Sequence, residues 1–210
     1  MKQKPVIILG NGGHATAIGE LLILNDYHVL GFTNPRNEDN VYQFKYLGND
    51  DVIINYSPQE IYLVNAIGSA SDLVLRTKKY IEFSEKDYNF LSLIHPSAKV
   101  SDFADLSVGV QIMAGAIVQP FSFVGENSII NTGTIVEHEC HISNHCHVAP
   151  GAVLCGGVNV GCQTFIGANS TVKQNITIGN LNTIGANSFV NKNTLDGKNY
   201  YGIPVKEVRQ

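Results

Sequence analysis

Ile130-Asn131-Thr132-Gly133-Thr134-Ile135-Val136-Glu137-His138-Glu139-Cys140-His141-Ile142-Ser143-Asn144-His145-Cys146-His147-Val148 carries an aliphatic residue at every sixth place, at Ile130, Val136, Ile142 and Val148. Followed in both directions, the step of six meets Ile94, Val100, Leu106, Ile112, Val118 and Val124 on one side. On the other it meets Leu154, Val160, Ile166, Val172, Ile178, Ile184 and Val190. Every position in the series is Ile, Val or Leu, a period that matches neither a helix nor a simple strand. Four places after each anchor the residue is usually small, as at Ala98, Ala116, Ser122, Thr134, Cys140, Cys146, Ala152 and Ser170. Both sets must point inward. A triangular coil satisfies this, with one short strand and one corner per hexad and three hexads to a turn of about 18 residues. No hexad buries its anchor alone, and stacking makes one aliphatic column. Gly125, Gly161, Gly167, Gly179 and Gly185 directly follow anchors, where they relieve crowding or supply unusual dihedrals.

The remainder of the chain sets limits. Its 210 residues, 44% hydrophobic and 15% charged, suit one or two compact domains. A net charge of −4 argues against nucleic acid or an anionic membrane as partner. The longest apolar run near the start, Val6 to Leu9, is too short for a leader or a membrane span, so a cytoplasmic protein without membrane insertion is expected. The four cysteines, Cys140, Cys146, Cys155 and Cys162, are then expected as reduced thiols.

Ahead of the repeats, residues 5 to 16 read as a buried strand, a glycine turn and the start of a helix reaching Leu24. Gly10, Gly12 and Ala15 fit the spacing that lets a backbone approach a diphosphate at a helix amino terminus. A second strand, Val29 to Thr33, ends at Asn34-Pro35, where a dinucleotide enzyme usually carries an acidic residue, so NAD is disfavoured. With a third strand over Ile61 to Ile67 and a helix over Leu73 to Phe83, this is a Rossmann-like β-α-β-α-β unit spanning residues 1–89, sized for a mononucleotide. The repeats fill 90–195, and residues 196–210 form a tail.

Gly10-Asn11-Gly12-Gly13-His14, Val136-Glu137-His138-Glu139-Cys140 and Gly202-Ile203-Pro204-Val205-Lys206 together resemble the sugar O/N-acyltransferase family of hexapeptide-repeat transferases. That family includes bacterial nucleotide-linked amino-sugar acetyltransferases. The resemblance implies a left-handed β-helix, acetyl-CoA as co-substrate, no metal and a homotrimer. It also implies N-acetylation of a nucleotide-linked 4-amino-4,6-dideoxy sugar, with the expectation leaning to UDP over GDP.

By register His138 lies outside the column between Glu137 and Glu139, where a carboxylate can fix the tautomer of an imidazole general base. The resemblance makes His138 the base and Glu139 its partner, and brings His147 to the acetyl group. One coil beyond His138 stands Gly156, whose amide is placed by the repeat to hold the acetyl oxygen. The resemblance further assigns Ala168 and Ala186 to the pantetheine arm and the tail to the adenine end; Lys192, Lys198 and Lys206 are read either as contacts to the coenzyme phosphates or as solvated charges. Gly12, Gly13, His14, Asn34 and Gly68 are expected at the nucleotide sugar, with Asn131 orienting it and the sugar amine reaching His138.

His141 and His145 are expected as solvated imidazoles, and the buried register of Cys140 and Cys146 argues against a zinc site. Three alternatives remain: sugar O-acetylation, a zinc hydrolyase resembling γ-class carbonic anhydrases, and a non-catalytic nucleotide-sugar-binding trimer.

Overall fold

The computed structural model describes residues 4–68 and 73–208. Strand β1 (Val6–Leu9) leads through the glycine turn into helix α1 (Gly13–Leu24), followed by β2 (Val29–Thr33), β3 (Tyr46–Gly48), a 3-10 helix (Asp50–Asn55), β4 (Tyr62–Asn65) and α2 (Val74–Ser84). The four strands pair in parallel in the order β3-β2-β1-β4. The sequence reading supplies three of them and misses β3 and the 3-10 helix, whose short runs lack an apolar pattern. The fully buried VIIL of β1 is the centre of this sheet, as a strand covered on both faces should be.

From Leu93–Ile94 to Phe189–Val190 the chain forms two-residue strands, one per hexad, that build the three walls of a left-handed β-helix. Paired residues are 18 apart, as in Phe123 with His141 and Ile135 with Val153. Face 1 carries Leu93, Gln111, Ile129, His147, Phe165 and Thr183 at the outward strand position. Face 2 carries Lys99, Ile117, Ile135, Val153, Thr171 and Phe189. Face 3 carries Asp105, Phe123, His141, Asn159 and Thr177. The anchors from Ile112 to Val190 form one buried column with Ala116, Cys140, Cys146 and Ala152. Ile94, beyond the first complete coil, is 42% exposed.

The corners take the left-handed backbone conformation at every sixth residue from Gly109 to Asn187. Glycine and asparagine fill most of these places, as that region prefers, while Phe121, Glu139, His145, Gln163 and Leu181 are exceptions. The glycines after the anchors have ordinary dihedrals; they are needed for space. A Cβ on Gly161 would lie 2.6 Å from the amide nitrogen of Asn180, and one on Gly167 would lie 2.5 Å from that of Ala186. Of the two roles expected for them, only the relief of crowding holds.

The α/β domain sits on face 1. Leu93, Met113 and Ile129 join the cluster of Val6, Ile8, Ile18 and Phe32, and Leu73 packs with Ala149 and Phe165. The segment expected as a tail carries strands over its described residues: Asn199–Tyr201 adds in parallel to Thr183–Ile184, and Lys206–Val208 returns antiparallel to it. On face 3 the last strand is closed by side chains. Asn193 accepts from the Thr177 amide at 2.9 Å, Thr194 from Gly179 at 3.0 Å and Asp196 from Asn180 at 2.8 Å. Among the described residues no helix is long and apolar enough to cross a membrane.

Candidate active site

A cleft of about 330 Å³ opens at the carboxy-terminal edge of the parallel sheet, lined by the glycine turn, Thr33, Asn34, Asp50, Ile67, Gly68 and Lys79 among others. Such an edge is where open parallel sheets bind ligands. No side chain caps the amino terminus of α1, and a Cβ on Gly12 or Gly13 would meet open space. Gly10, at φ +95°, makes the turn that sets this terminus beside the Ile67–Gly68 segment. The carboxylate missing at the end of β2 arrives from elsewhere. Asp50, on the 3-10 helix, accepts the Thr33 hydroxyl at 2.7 Å and pairs with Lys79 at 2.8 Å. Neither Asp50 nor Lys79 was legible as a site residue, because the turn that delivers Asp50 has no motif of its own.

Behind the cleft lies a buried polar junction between the domains. His14 Nε2 meets Gln111 Oε1 at 2.7 Å, and Gln111 Nε2 donates to the Asn65 carbonyl at 2.8 Å. The Gln111 amide nitrogen is thereby committed, so His14 is the donor and carries its proton on Nε2. Burial, and then the nearby charge of Arg76, hold the His14 pKa down at about 4, against the opposing pull of the Gln111 bond. His14 is therefore a neutral interdomain contact turned into the junction, not a cation waiting in the cleft. A Cβ on Gly68 would lie 2.9 Å from that of His14, so glycine is what lets the two segments approach.

On the corner between faces 2 and 3, His138 Nδ1 lies 3.0 Å from Glu139 Oε2, and both side chains are open to solvent. A carboxylate can only accept, so Nδ1 carries the proton and Nε2 keeps its lone pair. Glu139 reaches this position from the left-handed conformation, at φ +59°. Gly156 lies one coil above, where a Cβ would be 2.6 Å from His138 Nε2. The Gly156 amide has no hydrogen-bond partner among the described residues.

The other expected site residues lie elsewhere on the prism. His147 is buried on face 1, its Nε2 2.9 Å from Asn131 Nδ2 and its ring edge-on to Phe165. The Asn131 oxygen is taken by the Thr132 amide, so its nitrogen donates and the His147 proton sits on Nδ1. Ala168 and Ala186 stack on the corner between faces 1 and 2, with Ala168 accepting from the Asn187 amide at 2.8 Å. Within one chain, then, His138 and Gly156 come together on one corner, while His147, Asn131, Ala168 and Ala186 gather around another.

The four clustered histidines of the sequence do not converge either. His141 is exposed and stacks on Phe123 across face 3. His145 departs from the solvated reading: it packs edge-on against Tyr80, contacts Asn127 at 3.2 Å, and burial with the Arg76 charge lowers its pKa. Among the described residues no group of three or more acidic, histidine or cysteine side chains could hold a metal ion. Cys140 and Cys146 are buried in the column and their pKa values are pushed up by burial to about 11 and about 12; all four cysteines are unpaired. Lys198 pairs with Glu207 at 3.4 Å.

Residues 5–80 match the PglD N-terminal domain family and residues 157–192 the bacterial transferase hexapeptide (six repeats) family. A mutant perosamine N-acetyltransferase from Caulobacter crescentus, solved in complex with CoA and GDP-perosamine, is 31% identical over 100% of this chain and 99% of its own, with a TM-score of 0.93. The chain belongs to the hexapeptide-repeat sugar acyltransferases. The acetyltransferase domain of PglB from Neisseria gonorrhoeae FA1090, in complex with acetyl coenzyme A, is 27% identical over 99% of this chain and 100% of its own, at a TM-score of 0.93. WeeI from Acinetobacter baumannii AYE, 18% identical over 98% of this chain and 100% of its own, shares the fold at a TM-score of 0.82. No curated protein matches in sequence. As a member of this family the protein is an acyltransferase, and the zinc hydrolyase reading falls away.

Proposed function

We propose that the protein transfers the acetyl group of acetyl-CoA to the 4-amino group of a nucleoside-diphosphate-linked 4-amino-4,6-dideoxy sugar, in the cytoplasm. The observation that carries this reading is the His138–Glu139 pair beneath Gly156. As the amine nitrogen attacks the thioester carbonyl, it must lose a proton, and the His138 Nε2 lone pair receives it. Glu139, 3.0 Å from Nδ1, stabilises the imidazolium that results. The unpartnered Gly156 amide supplies a donor for the oxyanion. Collapse of the tetrahedral intermediate breaks the carbon–sulfur bond, and the proton on Nε2 passes to the departing CoA sulfur.

The nucleotide belongs in the cleft of the α/β domain, and the chemistry there favours guanine over the uracil expected from the sequence. A guanine edge offers N1–H and the exocyclic amine side by side, which match the lone pair that each Asp50 oxygen keeps beyond its contact with Thr33 or Lys79, whereas uracil offers a single N–H. The GDP-perosamine bound by the Caulobacter relative supports the same choice.

The placement of the two centres has a further consequence. The α/β domain covers face 1, whereas His138 stands on the opposite corner, so the nucleotide cleft and the base of one chain face apart. A threefold assembly answers this by setting the His138 corner of one protomer against the His147 side of its neighbour. Acetyl-CoA would lie between them, with Ala168 and Ala186 along its arm. The test is thiol release from acetyl-CoA with GDP- and UDP-linked 4-amino-4,6-dideoxy sugars, comparing wild type with His138→Ala. A fall of roughly 10²–10⁴-fold on an amino sugar is expected for loss of a general base; no release by wild type with any amino sugar would overturn the reading.

A further inference from the structure

Arg76, on α2, is 1% exposed, and no carboxylate pairs with it among the described residues. Its Nη1 donates to two carbonyls, that of Asn65 at 2.7 Å and that of Ile67 at 3.0 Å, and its Nε donates to the Asn127 carbonyl at 3.2 Å. Its Nη2 has no partner among the described residues. Burial lowers its pKa to about 9, which still leaves the group charged at neutral pH. An uncompensated buried cation is expensive to keep, and apolar residues fill such junctions at less cost.

What the guanidinium does is visible in the peptide it holds. In a planar trans peptide the C=O and the following N–H point in opposite directions. The Ile67 carbonyl is drawn back to Arg76, behind the cleft wall, so the Gly68 N–H of the same peptide points away from Arg76. Gly68 lines the cleft, and its amide has no partner among the described residues. The same wall faces the uncapped amino terminus of α1.

We infer that Arg76 is a positioning residue for the diphosphate of the nucleotide sugar: it turns the Ile67–Gly68 peptide so that the Gly68 amide donates to a phosphate oxygen, and backs that donor with a buried positive charge. This rests on the nucleotide-sugar reading above. It also accounts for the neutral His14, since the site's charge comes from behind the wall and an imidazolium beside Arg76 would be repelled.

Inorganic pyrophosphate is the probe, because it carries neither base nor sugar and requires no turnover. Its result therefore stands apart from any failure of acetyl transfer. In the full-length wild-type protein, pyrophosphate is expected to shift the Gly68 backbone amide resonance in ¹⁵N-edited spectra. Arg76→Gln should weaken pyrophosphate binding by about 10- to 100-fold, the range for a charge-assisted hydrogen bond, while guanosine binding stays unchanged. Arg76→Lys, which keeps the charge, should recover part of the loss. A Gly68 amide unmoved at saturating pyrophosphate would overturn the inference, as would equal losses for guanosine and pyrophosphate in a folded variant. Should both variants fail to fold, the wild-type Gly68 resonance alone decides.

Discussion

The imidazole of His138 rests against the α-carbon of Gly156, one coil on, so closely that a methyl group there would lie 2.6 Å from both Cε1 and Nε2. Gly156→Ala should therefore displace the ring from its working position while the aliphatic column stays intact. A misplacement of about 1 Å can cost about 10²-fold in rate. The expected outcome is a fall in kcat of that order with little change in melting temperature, read by thiol release and thermal unfolding.

If the reactive corner of one protomer serves the nucleotide cleft of another, two dead proteins can rescue each other. His138→Ala lacks the base, and Gly12→Phe fills the cleft, where a Cβ meets only open space. Refolding the two together should restore part of the turnover that each lacks alone. Absence of any rescue in verified mixed trimers would place both halves of the site in one chain.

Asp50→Asn keeps the shape of the cleft and removes the charged acceptor that Thr33 and Lys79 hold in place. Guanosine binding is expected to weaken about 10- to 100-fold, as for hydrogen bonds to a charged group. Calorimetry with guanosine and uridine is the measurement, and the preference between the two bases should shrink.

Phe121 is 70% exposed and holds a left-handed corner at φ +61°, a place where most coils of the repeat use glycine or asparagine. Phe121→Asn should stabilise the fold by about 1 kcal/mol, measured by thermal or denaturant unfolding. A loss would mean that the ring contact with Phe103, at 5.7 Å between centroids, outweighs the backbone strain.

His14 gives a signed pH dependence. Its pKa is about 4 in the folded chain against a reference value of 6.5, so the unfolded state binds the proton more readily. Its contribution to stability is fully present above pH 6.5 and is lost as the pH falls toward 4. Melting temperature across that window should decline more steeply for wild type than for His14→Gln.

The prism was legible because its rule is local. An anchor every six residues names the inward positions, and 18 is the only small offset that returns to the same corner, which is why the repeat alone puts Gly156 at His138. By the same arithmetic His147, nine residues from His138, lands on a different wall of the same chain, so the family pattern that joins them calls for a second protomer. Asp50 and Arg76 were hidden for another reason. Each acts through tertiary approach, Asp50 toward Thr33 and Arg76 toward the carbonyls of Asn65 and Ile67, and neither sits in a spacing that signals chemistry. The extra strand β3 has only three residues, all half-buried, and offers no alternation to read.

A stack of parallel coils is a templating surface: its terminal rung exposes the donors and acceptors that would recruit the next one, from this chain or another. Here Asn193, Thr194 and Asp196 occupy donors of the final rung of face 3, and the antiparallel return of Lys206–Val208 reverses the ladder of face 1. The stretch from Asn193 to Val208 thus acts as a stop codon written in hydrogen bonds, keeping a self-similar architecture from growing end to end into a fibre.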